Sequence, residues 1–233
     1  MDAFTLHNYQ ITVTIPEKPL PKEGFPVLYL LDGAHNGPVV RAIIDAQMMM
    51  RKLTKISRMI VVTIEQPPAK RFFDFTPQAP HYNVTSTFPM PKEGPFGGAE
   101  AFQQFLVHDV KPFIAAHYPA SSRSTLFGHS LSGFYVLWHL LTAPEDFTSY
   151  IALSPSVWWN DEELLTYSTA LLEAHPPKNL YVAVGEFERS MHAPIERLLT
   201  HLSAVPHTFY IAPEENHLSV LPTVLSRALR FIK

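Results

Sequence analysis

Three short stretches constrain this chain more than anything else in it: "FPVLYLLDG" (25–33), "RMIVVTIEQ" (58–66) and "NLYVAVG" (179–185). Each is a continuous apolar run, too short for a helix. A strand with one wet face alternates apolar and polar residues, whereas a strand covered on both faces has no need to. The segments between and after these runs space their apolar residues as helices do. Strand and helix in alternation build an α/β architecture, a mostly parallel central sheet with helices on both faces.

The other elements read the same way. "YQITVTI" (9–15) alternates as a half-buried strand, and "RAIIDAQMMMRKL" reads as a helix. Residues 99–117 carry Phe102, Phe105, Leu106, Val110, Phe113 and Ile114 at helical spacing, with Pro112 expected to kink that helix or shift its boundary. Strands are expected at "TLF", "YIALSPS" (150–156) and "HTFYIAP" (207–213), and helices from Leu131 and near 161–174, 191–204 and 221–232. Pro222 suits the first turn of the last helix. A Pro- and aromatic-rich stretch at about 66–97 is too long for an ordinary connection and reads as an ordered cover. No repeat or linker divides the chain, so residues 1–233 are expected to form one domain.

Composition removes several functions. With no cysteine there is no thiol nucleophile, disulfide or thiolate metal site. A net charge of −3 without a Lys/Arg cluster points away from nucleic acid. No apolar run approaches the ~20 residues that span a bilayer, and no leader is visible, so a cytoplasmic protein is the default. An exported protein with its leader removed stays open. No H-E-x-x-H or phosphate-binding glycine loop is present, and "HAPIE" (192–196) reads as a surface pair, so neither metal nor cofactor is expected.

The chemistry centres on "TLFGHSLSGFYVLWHLL" (125–141). Gly128 and Gly133 flank Ser130 between a strand and a helix, as a sharp elbow requires. Such an elbow exposes Oγ and aims the next amide, that of Leu131, at an oxyanion. The fifth position of G-x-S-x-G is here Ser132, small enough for the turn. A serine hydroxyl needs a base, and in this architecture the chain order is serine, acid, histidine. Of the late histidines, His201 lies in a helix, His207 opens a strand and His192 starts a helix; His217, in "PEENHLSVLP", follows the last strand and is the expected base. His129 is given a packing role. The acid should follow "NLYVAVG": Glu188 is favoured, with Glu186 as the alternative. A second oxyanion donor is expected from the loop after "VLYLLDG", where Gly33 permits close approach and Ala34 offers its N–H. Asp32, which precedes the serine, is expected to brace that loop. Phe72, Phe73, Phe75, Tyr82, Trp158 and Trp159 are candidates for flat walls around an aromatic group, and Lys70 and Arg71 for attraction of an anionic one.

"YLLDG", "RFFDFTP", "GHSLSGFYVLWHLL" and "SPSVWWN" together resemble the "putative esterase" branch of the α/β-hydrolases, above all its enterochelin (siderophore) esterase-like members. The resemblance runs from about residue 9 to the end. It implies an α/β-hydrolase fold and ester hydrolysis by a serine nucleophile, with Ser130 and His217 in the matching positions. It further implies that Arg71, Asp74, Trp158 and Trp159 line the site, and it leaves Glu186 and Glu188 open. The expected activity is hydrolysis of a carboxylic ester through an acyl-enzyme, on a small molecule such as a siderophore trilactone or a related aromatic-acyl ester. Acyl transfer, thioester hydrolysis and a non-catalytic binding role on the same fold are the alternatives. The oligomeric state is not legible.

Overall fold

The computed structural model describes residues 1–17, 19–84, 94–177 and 179–232. The expected cover is therefore described on both sides of 85–93, and those nine positions lie outside the described residues.

Among the described residues, eight strands form one sheet in the order β1-β2-β4-β3-β5-β6-β7-β8. They are β1 (Asp2–Leu6), β2 (Tyr9–Thr14), β3 (Phe25–Leu31), β4 (Ile60–Glu65), β5 (Ala120–His129), β6 (Ser149–Leu153), β7 (Asn179–Gly185) and β8 (His207–Ala212). The pairs β1–β2 and β2–β4 are antiparallel, and every later pair is parallel. From β3 the chain passes first to β4 on one side and then to β5 on the other. This is a topological switch point, where the carboxyl ends of neighbouring strands leave a crevice.

Helices α1 (Gly33–Met48) and α10 (Val220–Phe231) cover one face. There Val40, Ile44, Val224 and Leu225 meet Leu28, Leu30 and Val61 of the sheet. The other face carries α4 (Ala99–Phe105), α5 (Lys111–His117), α6 (Leu131–Thr142) and α9 (Arg189–His201) over Val27, Tyr29 and Leu31. Alternate residues of one apolar strand thus enter two different cores. All seven residues of β3 are buried, as its composition required. Among the described residues no helix is long and apolar enough to cross a membrane.

Several boundaries differ from the expected ones. β1 adds an antiparallel edge strand that was not foreseen. Helix α1 begins at Gly33, ahead of the expected "RAIIDAQMMMRKL", and runs through Asn36, Gly37 and Pro38, residue types that favour turns. The packing of Asn36, Gly37 and Val40 against the sheet outweighs those local preferences. A short α2 (Arg51–Thr54) follows, and the cover contributes a single turn, α3 (Arg71–Asp74). The expected helix over 99–117 is interrupted by a π-turn at Leu106–Val110, directly before Pro112, whose missing N–H cannot join an ordinary ladder. The expected helix near 161–174 is not continuous. It is broken into α7 (Trp159–Glu162), a 3-10 turn and α8 (Ala170–Ala174). Asn160, Asp161 and Glu162 all hold left-handed backbone, with φ of 47°, 56° and 60°. Contacts from elsewhere hold them there: Asn83 donates its backbone N–H to Asn160 and its side-chain amide to Asp161, and Arg197 grips Glu162.

Candidate active site

Three adjacent strands end at the switch point, and each turns on a non-glycine residue with positive φ: Asp32 after β3, Ser130 after β5 and Ser154 after β6. Such conformations cost roughly 1–3 kcal/mol each and persist only where the surroundings enforce them. At Ser130 (φ 62°, ψ −122°) the enforcement is visible. Its N–H donates to Leu153 at 3.0 Å, and its carbonyl accepts from Phe134 at 3.0 Å and Ser156 at 3.1 Å. A Cβ on Gly128 would lie 2.2 Å from the Ser132 carbonyl oxygen, so this glycine is obligatory. Ser132 is more than a small residue. Fully buried, its Oγ accepts from the His129 N–H at 3.0 Å and donates back to the His129 carbonyl at 2.8 Å, stapling the elbow.

The loop from β8 to α10 brings His217 over Ser130. Nε2 lies 2.9 Å from Ser130 Oγ, and Nδ1 lies 2.6 Å from Glu188 Oε1. A carboxylate only accepts, so Nδ1 carries the proton and Nε2 is left to accept from the serine hydroxyl. Glu188 is 7% exposed. Its Oε2 accepts from Ser154 Oγ at 2.6 Å and from the Gly185 N–H at 2.7 Å. Burial alone would raise its pKa; the hydrogen bonds from His217, Ser154 and Gly185 outweigh burial and hold it below the ordinary carboxylate value. Glu186, the other acid left open, is exposed and accepts from the Glu214 N–H. It has no part in this cluster. Ser154 was missed by the sequence reading; its only signal is its position where β6 ends beside β7.

His129 is tied to the same loop. Its Nε2–H donates to the His217 carbonyl at 2.9 Å, and the two rings lie 4.8 Å apart. Burial, followed by the nearby charge of His217, pushes the His129 pKa down to about 4. His192, the first residue of "HAPIE", bonds the Gly185 carbonyl instead of Glu196.

A cleft of about 380 Å3 opens on Ser130, lined by Asp32, Glu65, Arg71, His129, His217 and their neighbours. Asp32 braces it by gripping the Arg71 guanidinium at 2.7 and 2.8 Å. At the start of α6, the Leu131 amide has no hydrogen-bond partner among the described residues. The Ala34 amide is not open: it donates to Glu65 Oε2 at 2.5 Å. Gly33 is obligatory beside it, since a Cβ there would lie 2.8 Å from Thr63 Cβ.

The other expected lining residues divide. Asp74 is buried and accepts from Tyr9 at 2.9 Å, and with Lys70 and Phe73 it borders a separate cavity beside α4. Burial is the chief reason its pKa rises to about 6. Phe75 is core, packed on Phe102 and Tyr135. Trp159 is fully buried against Tyr82 and Phe96, while Trp158 is half-buried.

A parallel sheet with a strained serine elbow, followed along the chain by an acid and then a histidine, defines the α/β-hydrolase class. The family described as "Putative esterase" matches residues 4–204. The chain belongs to that family and is an ester hydrolase. It is 33% identical to the ferri-bacillibactin esterase BesA of Bacillus subtilis, covering 96% of this chain and 84% of the relative. It is 30% identical to the siderophore triacetylfusarinine C esterase of Aspergillus fumigatus, over 89% and 75%. The crystal structure of the BES protein from Bacillus cereus superimposes with a TM-score of 0.88 at 30% identity, over 100% of this chain and 95% of the other.

Proposed function

We propose that Ser130, His217 and Glu188 form the catalytic triad of a siderophore esterase. The observation that carries this is the single imidazole bridging Ser130 Oγ at 2.9 Å and Glu188 at 2.6 Å. Neutral His217 takes the serine proton as Oγ attacks the ester carbonyl. Glu188 holds the tautomer and stabilises the imidazolium without taking the proton itself. The oxyanion is received by the amides of Leu131 and, once it is vacated, Ala34. The protonated imidazole hands its proton to the leaving alkoxide; water, deprotonated by the same ring, then attacks the acyl-enzyme, and the ring returns that proton to Ser130 Oγ as the acid leaves. Protein groups and water complete the cycle. No cofactor is needed.

The substrate reading is supported by the relatives named above; Arg71, at the rim of the cleft, has N–H donors beyond its Asp32 pair that suit the oxygens of a siderophore ester. Trp158 is proposed as a flat wall for the substrate. Asp74 and Trp159 are assigned to supporting the cover. Residues 1–233 are read as one catalytic domain.

Ser130→Ala is expected to lower p-nitrophenyl ester turnover by about 10^4-fold or more, with an unchanged melting curve, and to abolish labelling by a fluorophosphonate. Turnover retained in that variant would overturn the assignment. A panel of catecholamide trilactones, feruloyl esters, S-formylglutathione and short acyl esters tests the substrate class: the trilactones should give the highest kcat/KM.

A further inference from the structure

The Ala34 N–H is one of the orphan amides at the start of the 16-residue helix α1, where the backbone carries partial positive charge. A carboxylate already occupies it. Glu65, the last residue of β4, reaches across the strand ends and accepts from Ala34 at 2.5 Å, and it lines the same cleft as Ser130. On the mechanism proposed above, a tetrahedral oxyanion needs that N–H. Two negatively charged oxygens cannot share one donor without strong repulsion.

We propose that Glu65 is a specificity-determining residue: its carboxylate plugs one half of the oxyanion hole, and only substrates with enough contacts elsewhere displace it. This inference rests on the esterase reading. Displacement has a destination, because the Arg71 guanidinium stands on the same cleft wall and already feels the charge of Glu65, after the stronger influences of its own burial and of Asp32. Moving the plug costs every ester the same, so the cost is hidden only where remote contacts carry kcat/KM of a large multi-ester up to the encounter limit. A small acyl ester has no such reserve. Glu65 therefore selects against small esters at the carbonyl itself, independently of the shape of the outer pocket.

The test compares wild type, Glu65→Gln and Glu65→Ala on p-nitrophenyl acetate and on a catecholamide trilactone, with melting curves and the rate of fluorophosphonate labelling. Glu65→Ala should raise kcat/KM for the acetate by about tenfold or more, the factor set by one charge-assisted hydrogen bond. It should speed labelling similarly and change the trilactone value by less than about threefold. Glu65→Gln, which keeps an uncharged acceptor, should fall between. If Glu65 merely caps α1, Glu65→Ala melts lower with no gain on the acetate. That result, or a fall on both substrates, overturns the proposal while labelled, active wild type leaves the esterase reading standing. No turnover and no labelling in any of the three proteins overturns both.

Discussion

His129 neighbours the proposed nucleophile Ser130 and yet is positioned to transfer no proton: its Nε2–H is committed to the His217 carbonyl. Its consequence is for stability. A histidine whose pKa falls from 6.5 unfolded to about 4 folded binds its proton more readily in the unfolded chain. Its contribution to folding stability is full above 6.5 and is lost as pH falls through the folded value, by an amount on the order of 3 kcal/mol. His129→Gln retains a donor and cannot titrate, so its urea midpoint should drop less than that of wild type between pH 7 and pH 5. Equal drops in the two proteins would show that His129 does not carry the acid sensitivity. The site residues differed in legibility. Ser130 and His217 followed from a local motif and from chain order. Glu188 was favoured over Glu186 in "GEFE" from the sequence, and the β7 turn in three dimensions shows that it is the one meeting His217. The occupation of the Ala34 amide by Glu65, thirty-one residues away, left no trace in either local sequence.

At the scale of elements, the broken segment after β6 has the opposite pH response. Glu163 is buried, one carboxyl oxygen has no partner among the described residues, and Asn160 donates to the other. Burial, aided by the charge of Glu100 and opposed by Asn160, lifts its pKa from 4.5 to about 7. The folded state therefore binds more protons between those values, and stability falls as pH rises through that window. Glu163→Gln removes the ionisation, so its gain in stability over wild type should be larger at pH 8 than at pH 5, by on the order of 1–3 kcal/mol. A gain independent of pH would refute this. The same segment explains why a helix near 161–174 was a reasonable expectation and an incorrect one. "NDEELL" has acceptable helical composition, but Asn83 and Arg197 pull three successive residues into left-handed backbone. Strands were far more legible. β7 matches its expected bounds, since a run buried on both faces announces itself in composition alone.

For the whole molecule, the sheet separates stability from chemistry. β1 is an edge strand, and β2, β4 and β3 lie between it and β5, which carries Ser130. Phe4 of β1 packs on Phe113, with ring centroids 4.7 Å apart. Deleting residues 1–7 should cost about 1–3 kcal/mol, seen as a melting temperature lower by several degrees. It also exposes the β2 edge to association. Ester turnover per folded molecule, measured below the transition, should change less than about twofold; a larger loss would mean that the edge strand shapes the distant cleft. What the sequence by itself determined was the architecture and the serine elbow, because double-sided burial and a glycine-flanked elbow are local constraints written in consecutive residues. Only the tertiary structure decided which acid reaches His217, which aromatics serve the core and which amide is already occupied. Those depend on distances between strand ends remote in sequence, and packing sets such distances where composition cannot.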